Sequence, residues 1–173
     1  MTLLSVPYQS QRDNASGFGY RECFSSTCAM IAMYWGKVEN DDEYNRVRAR
    51  FGDTTESSAQ IRALESLGLV ARFTKKGTPA NLSYQLRLGN PIATGWLHYG
   101  TAKHPMGGGH WTLLVGEQPS FYYHHDPYGE ADLVGGGYVN GDNGRYIKYS
   151  KRNWLPRWMA GGEAWMLTCG VKK

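Results

Sequence analysis

The chain changes character at Gly89-Asn90, and no other feature of the sequence constrains its fold as strongly. Before this point, apolar residues recur at the spacing of amphipathic helices. After it, short apolar and aromatic runs alternate with glycine-rich segments. Helices followed by strands predict an α+β fold, with N-terminal helices packed on a C-terminal, mostly antiparallel sheet. A length of 173 residues suits one well-packed core, so we expect residues 1–173 to form a single domain.

The predicted elements follow from periodicity and from turn residues. Helices are expected over residues 24–35, 41–51, 57–67 and 78–88, with an irregular or helical segment over residues 151–159. Strands are expected over residues 70–74, 91–99, 111–115, 121–125, 145–149 and 164–169, and loops over residues 100–109 and 129–144. Ser57 and Gln60 have the spacing of a capping box, and Thr78-Pro79 fits the N-cap and first residue of the fourth helix.

Cys23 stands at the start of the first predicted helix, after a glycine-containing loop over residues 16–19. Helix N-termini carry unpaired N–H groups and the positive end of the helix dipole, and both favour a thiolate, the nucleophilic form of cysteine. Cys23 is therefore a candidate nucleophile. Cys28 lies between apolar residues and Cys169 lies in the last predicted strand, so both are expected to pack in the core. Three cysteines with this spacing do not indicate a disulfide framework.

His110 and Asp126 are a candidate base and its carboxylate partner. His110 begins one predicted strand and Asp126 ends the next, with the turn over residues 118–120 between them. In an antiparallel hairpin the two residues fall opposite each other at the open end. The carboxylate can then fix the imidazole tautomer while the other ring nitrogen faces a thiol. Alternatively, Asp126 could only form an Asx turn before Pro127, and His110 could be a structural histidine.

A Cys, a His and an Asp in this order are the parts of a cysteine peptidase. Such an enzyme also needs donors for the oxyanion of its tetrahedral intermediate. The backbone N–H of Cys23 is one candidate, and a side-chain amide just upstream is the natural second. Gln11 is the first choice for this donor, and Gln9 is the alternative.

Charge and composition exclude several other classes of function. The net charge of +4 could favour an anionic partner such as cell wall, nucleic acid or a membrane surface, but no basic run supports nucleic-acid binding. His124 and His125 point to opposite faces of a strand, and residues 140–144 lack the downstream glutamate of a calcium loop. We therefore expect no metal and no cofactor. The N-terminus shows no signal-peptide pattern and no apolar run is long enough to span a membrane, which predicts a cytoplasmic monomer.

Two further features leave alternatives open. An aromatic cluster in the C-terminal region could bind sugars or could simply pack in the core; its members are Tyr146, Tyr149, Trp154, Trp158 and Trp165. The glycine-rich loops over residues 100–109 and 129–144 could line a substrate cleft or could be connectors only.

Several motifs together resemble the C39-like branch of the papain-like cysteine peptidases. They are the opening over residues 6–14, the nucleophile helix over residues 23–30, the segment 90–92, and the His and Asp blocks over residues 109–111 and 126–129. Phe24-Ser25 differs from the Gly-Pro that many relatives have at this position. The resemblance implies a papain-like fold in which Cys23 is the nucleophile, His110 the base, Asp126 the orienting residue and Gln11 the oxyanion donor, without a cofactor.

Relatives of this family include leader-peptide proteases fused to transporters and small peptidoglycan-cleaving enzymes of phage. The resemblance therefore implies a phage endolysin that cleaves amide bonds in the stem peptides of bacterial peptidoglycan, held in the host cytoplasm until lysis. One alternative is a cytosolic protein or leader-peptide peptidase, or a peptide transferase, with the same fold. The other is an inactive papain-like module that binds cell wall or a host protein. The bond cleaved and the host remain open.

Overall fold

The computed structural model describes residues 1–172, in which helices cover both faces of one antiparallel sheet. The helices are α1 (Cys23–Tyr34), α2 (Asp41–Arg48), α3 (Ser57–Ser66), α4 (Pro79–Arg87) and α5 (Lys151–Trp158). The strands are β1 (Thr2–Leu3), β2 (Leu69–Thr74), β3 (Ile92–Trp96), β4 (Tyr99–Thr101), β5 (His104–Met106), β6 (His110–Glu117), β7 (Phe121–His125), β8 (Glu130–Ala131), β9 (Tyr138–Asn140), β10 (Ile147–Ser150) and β11 (Trp165–Val171).

The main sheet has seven strands. Six of them run in the order β10-β7-β6-β3-β11-β2, and the short β1 pairs with the end of β6. Every strand pair in this sheet is antiparallel. The architecture confirms the α+β prediction, because helices pack on an antiparallel sheet of which all strands but β1 and β2 come from the second half of the chain.

Alternating side chains divide the core between the two faces of the sheet. In β6, Leu113 and Val115 belong to the cluster beneath α1, whereas Leu114 belongs to a second cluster beneath α4 and α5. This alternation is what a strand buried on both faces requires. Helix α1 is itself buried along residues 24–32. It lies between the sheet and the outer helices α2 and α3, which explains why it is apolar on nearly every side.

Three predictions of local structure are wrong. The segments 100–109 and 129–144 are not loops throughout, because each takes part in a two-stranded ribbon, β4–β5 and β8–β9. The capping box at Ser57 is absent, since Glu56 is the N-cap and Ser57 the first helical residue. The Gln60 side chain turns inward instead and donates to Ser25 Oγ at 2.9 Å. By contrast, Thr78 caps α4 as predicted, through a capping box with Asn81.

Candidate active site

Cys23 is the first residue of α1. It is partly exposed, whereas Cys28 and Cys169 are buried in the core, and all three are free thiols. The N-cap residue Glu22 makes no side-chain capping bond, so the N–H groups of the first turn remain directed out of the helix end. The thiol therefore lies where the backbone favours negative charge on sulfur or on a bound oxygen.

His110 and Asp126 come together at the open end of the β6–β7 hairpin. His110 Nε2 lies 2.7 Å from Asp126 Oδ1, and both side chains are buried. The same Oδ1 accepts from the N–H of Tyr128 at 3.0 Å, so Asp126 also forms the Asx turn considered above. The two interpretations of Asp126 are therefore compatible, because one carboxylate oxygen serves both contacts.

The hairpin register differs slightly from the prediction. A bulge between Leu114 and Gly116 shifts the pairing, and Leu113 faces His125 across the ladder. His110 therefore lies beyond the last paired position, and its side chain reaches back to Asp126. The turn is closed by the Gln118 N–H, which donates to the Phe121 carbonyl at 2.9 Å. The predicted proximity of the two residues holds, although the register derived from an unbulged ladder was wrong by two residues at this end.

Tyr149 completes the surroundings of the carboxylate, and the sequence had not indicated this role. Its hydroxyl donates to Asp126 Oδ2 at 2.7 Å and accepts from the Ala131 N–H at 2.9 Å. The Asp126 N–H donates to the Gly144 carbonyl at 2.8 Å. A buried carboxylate with donors on both oxygens is held in one orientation, which in turn orients the His110 ring. The antiparallel pairing of β7 with β10 was the one signal that could have suggested it.

His110 is positively charged at neutral pH in this arrangement. Burial alone lowers the pKa of His110. The charge and hydrogen bond of Asp126, and then the nearby Cys23 thiol, outweigh burial and raise that pKa to about 10. His110 thus lies between a carboxylate and a thiol, which is the order that the sequence predicted for the three groups.

Aromatic rings enclose His110 on its other sides. The ring centroids of Tyr138, Trp96 and His98 lie 5.5, 5.6 and 5.3 Å from that of His110. Burial, and then the charge of His110, lower the pKa of His98 to about 4, so His98 is neutral at pH 7. These rings exclude water from the His110–Asp126 pair and strengthen the interaction between the two side chains.

Phe24 and Trp111 link the two halves of the site. Phe24 follows Cys23 and Trp111 follows His110. Their rings stack with centroids 3.7 Å apart and planes 2° from parallel. Gly95, opposite Trp111 in the ladder, leaves room for the indole, because a Cβ there would approach it to 2.9 Å. Phe24 occupies the position at which the sequence differs from many C39-like relatives, and the stack gives that difference a packing role.

Gln11, and not Gln9, hydrogen-bonds to the segment that precedes α1. Gln11 is buried, and its Nε2 donates to the carbonyl of Gly19 at 2.8 Å. Nε2 carries a second hydrogen, which this bond does not use. Gln9 is engaged elsewhere, since its Oε1 accepts from the backbone N–H of Asp41 at 3.2 Å and its Nε2 donates to the Tyr8 carbonyl. Of the two candidates, Gln11 is the one packed against the segment that leads into Cys23.

A buried polar network holds that segment. Asn14 Nδ2 and Ser16 Oγ each donate to Glu22 Oε2 at 2.7 Å, and Ser26 Oγ donates to Asp41 Oδ2 at 3.0 Å. Burial raises the pKa of Asp41 to about 6, against the hydrogen bond from Ser26. The network ties the loop before Cys23 to the first turn of α1 and to the start of α2.

A cavity of about 210 Å³ opens beside His110. Its lining includes the glycines of residues 107–109 and the indoles of Trp96, Trp111 and Trp165. The first glycine-rich segment therefore borders a cavity next to the His110 ring. Of the C-terminal aromatic cluster, Tyr149, Trp154 and Trp158 are buried in the core, whereas Trp165 is partly exposed at the cavity.

The two histidines of β7, His124 and His125, are buried in the core. His124 Nδ1 lies 2.9 Å from Thr112 Oγ1, and His125 Nε2 lies 2.9 Å from the Val6 carbonyl on the other face of the sheet. Residues 140–144 form a turn in which Asn140 Oδ1 accepts from following N–H groups. Within residues 1–172, no group of three or more His, Cys, Asp or Glu side chains is arranged to hold a metal ion.

Sequence comparison identifies the family. Residues 2–133 match the family described as papain-like cysteine protease AvrRpt2. The chain belongs to this family. The match covers both helix α1, which begins at Cys23, and the His110–Asp126 hairpin of this papain-like protease. No curated protein matches it in sequence.

Solved structures of C39-type peptidases share the fold of this papain-like protease. A putative C39-like peptidase from Bacillus anthracis has a TM-score of 0.67 and 12% identity, covering 100% of this chain and 99% of that one. The peptidase domain of Streptococcus ComA, a bifunctional ABC transporter involved in quorum sensing, has a TM-score of 0.60 and 15% identity, with coverages of 88% and 93%. A double-glycine-motif protease from an AMS/PCAT transporter, solved with its leader peptide, has a TM-score of 0.54 and 15% identity, with coverages of 98% and 96%.

These findings confirm the resemblance to C39-like, papain-like cysteine peptidases and the fold class that it implied. The family and fold are those of a hydrolase. Among residues 1–172, no helix has the length and apolar character needed to cross a membrane.

Proposed function

We propose that this papain-like protease is a cysteine endopeptidase that cleaves amide bonds in the stem peptides of bacterial peptidoglycan, with Cys23 as nucleophile. One observation carries the chemistry: His110 lies between Asp126, at 2.7 Å, and the Cys23 thiol. A charged imidazole in that position is ready to stabilise a thiolate and then to act as a general acid.

The reaction follows from this geometry. The Cys23 sulfur attacks the carbonyl carbon, and the oxyanion that forms is held by the Cys23 N–H and the free Nε2 hydrogen of Gln11. The C–N bond then breaks as His110 gives its proton to the leaving amine, which leaves an acyl thioester on Cys23. Water next loses a proton to His110 and attacks the thioester. The C–S bond breaks, the acid product leaves, and the thiolate and imidazolium return.

Two features support peptidoglycan as the substrate. The net charge of +4 favours binding to an anionic polymer such as the bacterial wall. The sequence motifs also resemble those of small peptidoglycan-cleaving phage enzymes, which makes a phage endolysin the proposed biological role. The wall assignment is an analogy at the level of the family, whereas the chemistry stands on named side chains.

The leading alternative is a peptidase or peptide transferase that acts on a protein or leader peptide. It is favoured by the structural similarity to a double-glycine-motif protease solved with its leader peptide. The cavity beside His110 suits a side chain of either substrate class. The two substrates therefore have to be compared directly.

The deciding experiment measures release of new amino groups from purified Gram-negative and Gram-positive sacculi, with wild type beside Cys23→Ala. We expect release by the wild type only, and mass spectrometry of the fragments then identifies the bond. If Cys23→Ala releases as many amino groups as the wild type, Cys23 is not the nucleophile. Cleavage of free peptides without release from sacculi would support the alternative substrate.

Alkylation by iodoacetamide at neutral pH separates an active site from an inactive binding module. Wild type should be alkylated rapidly at Cys23, and Cys23→Ala, which retains the buried Cys28 and Cys169, measures the background. A Cys23 that reacts no faster than an ordinary exposed thiol would instead favour the inactive module that binds cell wall or a host protein.

A further inference from the structure

Arg157 lies near the end of α5 with only 1% of its surface exposed. Buried charges normally pair with an opposite charge, yet no carboxylate within residues 1–172 forms an ion pair with it. Its N–H groups instead make five hydrogen bonds of 2.7–3.1 Å to main-chain carbonyls. The acceptors are Leu97, Tyr99, Gly100 and Leu133.

No other side chain could make these bonds. A guanidinium presents five donors in a planar fork, whereas a lysine ammonium presents three donors from one point. An apolar side chain of similar volume would offer no donor to these four carbonyls. Arg157 can therefore be buried only while the four carbonyls keep their positions around its guanidinium.

The carbonyls belong to two segments that Arg157 joins from the core side. The first segment, residues 97–100, runs from the end of β3 into β4, and the second, residues 132–137, connects β8 to β9. The segments also bond to each other, because the Gly137 N–H donates to the His98 carbonyl at 2.7 Å. Ala102, one residue after β4, likewise donates its N–H to the Val134 carbonyl at 3.2 Å.

The joined segments form the wall beside His110. His98 of the first segment and Tyr138, which follows the second, bring their rings to 5.3 and 5.5 Å from the His110 ring. Leu97 and Arg157 line the same cavity as His110. A shift of the first segment would therefore move the wall of the cavity at Leu97, and the second segment acts on that wall through its bond to His98.

We infer that Arg157 is a positioning residue, which holds the wall of the substrate cleft beside His110 by fixing residues 97–100 and 132–137 to each other. This inference rests on the proposed peptidase function, since it takes the cavity beside His110 as part of the substrate cleft. Arg157 acts through main-chain carbonyls, and it need not contact the reacting atoms.

The test compares Arg157→Lys with wild type on a soluble cross-linked muropeptide. Arg152→Lys, at an exposed position of the same helix, is the matched control. We expect kcat/KM to fall by at least about tenfold in Arg157→Lys, mainly through a higher KM, because a displaced wall misplaces the substrate. Iodoacetamide should still alkylate Cys23 within about twofold of the wild-type rate, since that reaction needs only the thiol and His110. Simple loss of folded protein would lower kcat and leave KM unchanged.

Hydrogen–deuterium exchange tests the wall without any substrate. Peptides that contain Ala102 and Gly137 should exchange faster in Arg157→Lys than in wild type or Arg152→Lys, because their N–H groups bond across the two segments. If Arg157→Lys does not fold, Asp132→Ala loosens the second segment from its outer side. Asp132 Oδ1 accepts from the N–H groups of Val134 and Gly135 at 2.9 Å. We expect a smaller change in the same direction.

A folded Arg157→Lys with unchanged exchange and unchanged KM would overturn the inference. If wild type cleaves neither muropeptide nor free peptide, the proposed function fails. The exchange of Ala102 and Gly137 then decides by itself whether Arg157 holds the two segments together.

Discussion

The two sides of the proposed active site are fixed by different kinds of interaction. The segment before Cys23 is held by side chains bonding to side chains, with Glu22 and Asp41 as buried acceptors. The wall beside His110 is held by Arg157 bonding to main-chain carbonyls and by packed rings. The first side contains Asp41, whose pKa burial raises to about 6, and the second surrounds His110, whose pKa is raised to about 10. We therefore expect pH and substitution to affect the two sides differently.

The largest effect is expected on the His110 side. His110→Gln should lower kcat/KM on the cleaved substrate by about 10³- to 10⁴-fold, because the amide can neither stabilise a thiolate nor protonate the leaving amine. The measurement is initial rates beside His104→Gln, a substitution at an exposed histidine. Retention of more than a tenth of the activity would remove His110 from the mechanism.

A smaller loss of kcat/KM is expected when the Asp126 carboxylate loses one of its hydrogen-bond donors. Tyr149→Phe keeps the ring but removes the hydroxyl that donates to Asp126 Oδ2. A hydrogen bond to a charged group contributes about 1.5–3 kcal/mol, so we expect kcat/KM to fall roughly 10- to 100-fold. Tyr146→Phe is the control, because its hydroxyl donates to the Leu4 carbonyl and not to Asp126. Equal rates for the two variants would show that Tyr149 does not orient the carboxylate.

The ion pair of His110 also predicts how stability depends on pH. The pKa of His110 is raised to about 10 in the folded protein from its ordinary value of 6.5. Its contribution to stability is therefore complete below about pH 6.5 and is lost as pH rises through about 10. Thermal unfolding of wild type and His110→Gln should show a difference in Tm that is larger at pH 7 than at pH 10.5. A difference that grows between these values would contradict the ion pair.

The smallest effect is expected on the Cys23 side, where burial of the Asp41 carboxyl, and not an ion pair, changes how the free energy of unfolding depends on pH. The pKa of Asp41 is raised to about 6, so the folded state binds this proton more tightly than the unfolded chain. The stabilisation by the protonated group is therefore lost as pH rises from about 4 to about 6. Asp41→Asn has no such loss. Urea unfolding should show Asp41→Asn gaining stability relative to wild type between pH 4.5 and pH 7.5, by about 1 kcal/mol. If the difference in unfolding free energy between Asp41→Asn and wild type is the same at pH 4.5 and pH 7.5, the raised pKa of Asp41 is contradicted.

Features that depend on local sequence could be predicted well. The start of the helix at Cys23, the Thr78 cap and the β6–β7 hairpin follow from neighbouring residues, and their observed bounds differ little from the prediction. The β4–β5 ribbon was missed because three-residue strands rich in polar residues and glycine carry no alternating pattern. The bulge at Leu114 was missed for a related reason, since a ladder defect depends on how two strands pack and not on one of them.

Contacts made by main-chain atoms of distant segments could not be predicted. Nothing in the sequence around Arg157 indicates that its partners are the carbonyls of residues 97–100 and 133, because every residue has a carbonyl. The role of Tyr149 was obscure for a similar reason, since its aromatic neighbours suggested sugar binding or core packing. Of the candidate site residues, His110 and Asp126 are in direct contact, and the catalytic roles of Cys23, His110, Asp126 and Gln11 stay predictions.

The stacked rings of Phe24 and Trp111 help to set the distance between the Cys23 sulfur and the His110 imidazole. Phe24 directly follows Cys23, and Trp111 directly follows His110. The two stacked rings therefore keep the start of α1 at a fixed distance from the start of β6. Within the stretch of chain from Phe24 to Trp111, Gly95 contributes directly, because it lies opposite Trp111 and leaves room for the indole. Insertions and deletions in the surface loops between Phe24 and Trp111 should therefore change the position of Cys23 relative to His110 very little.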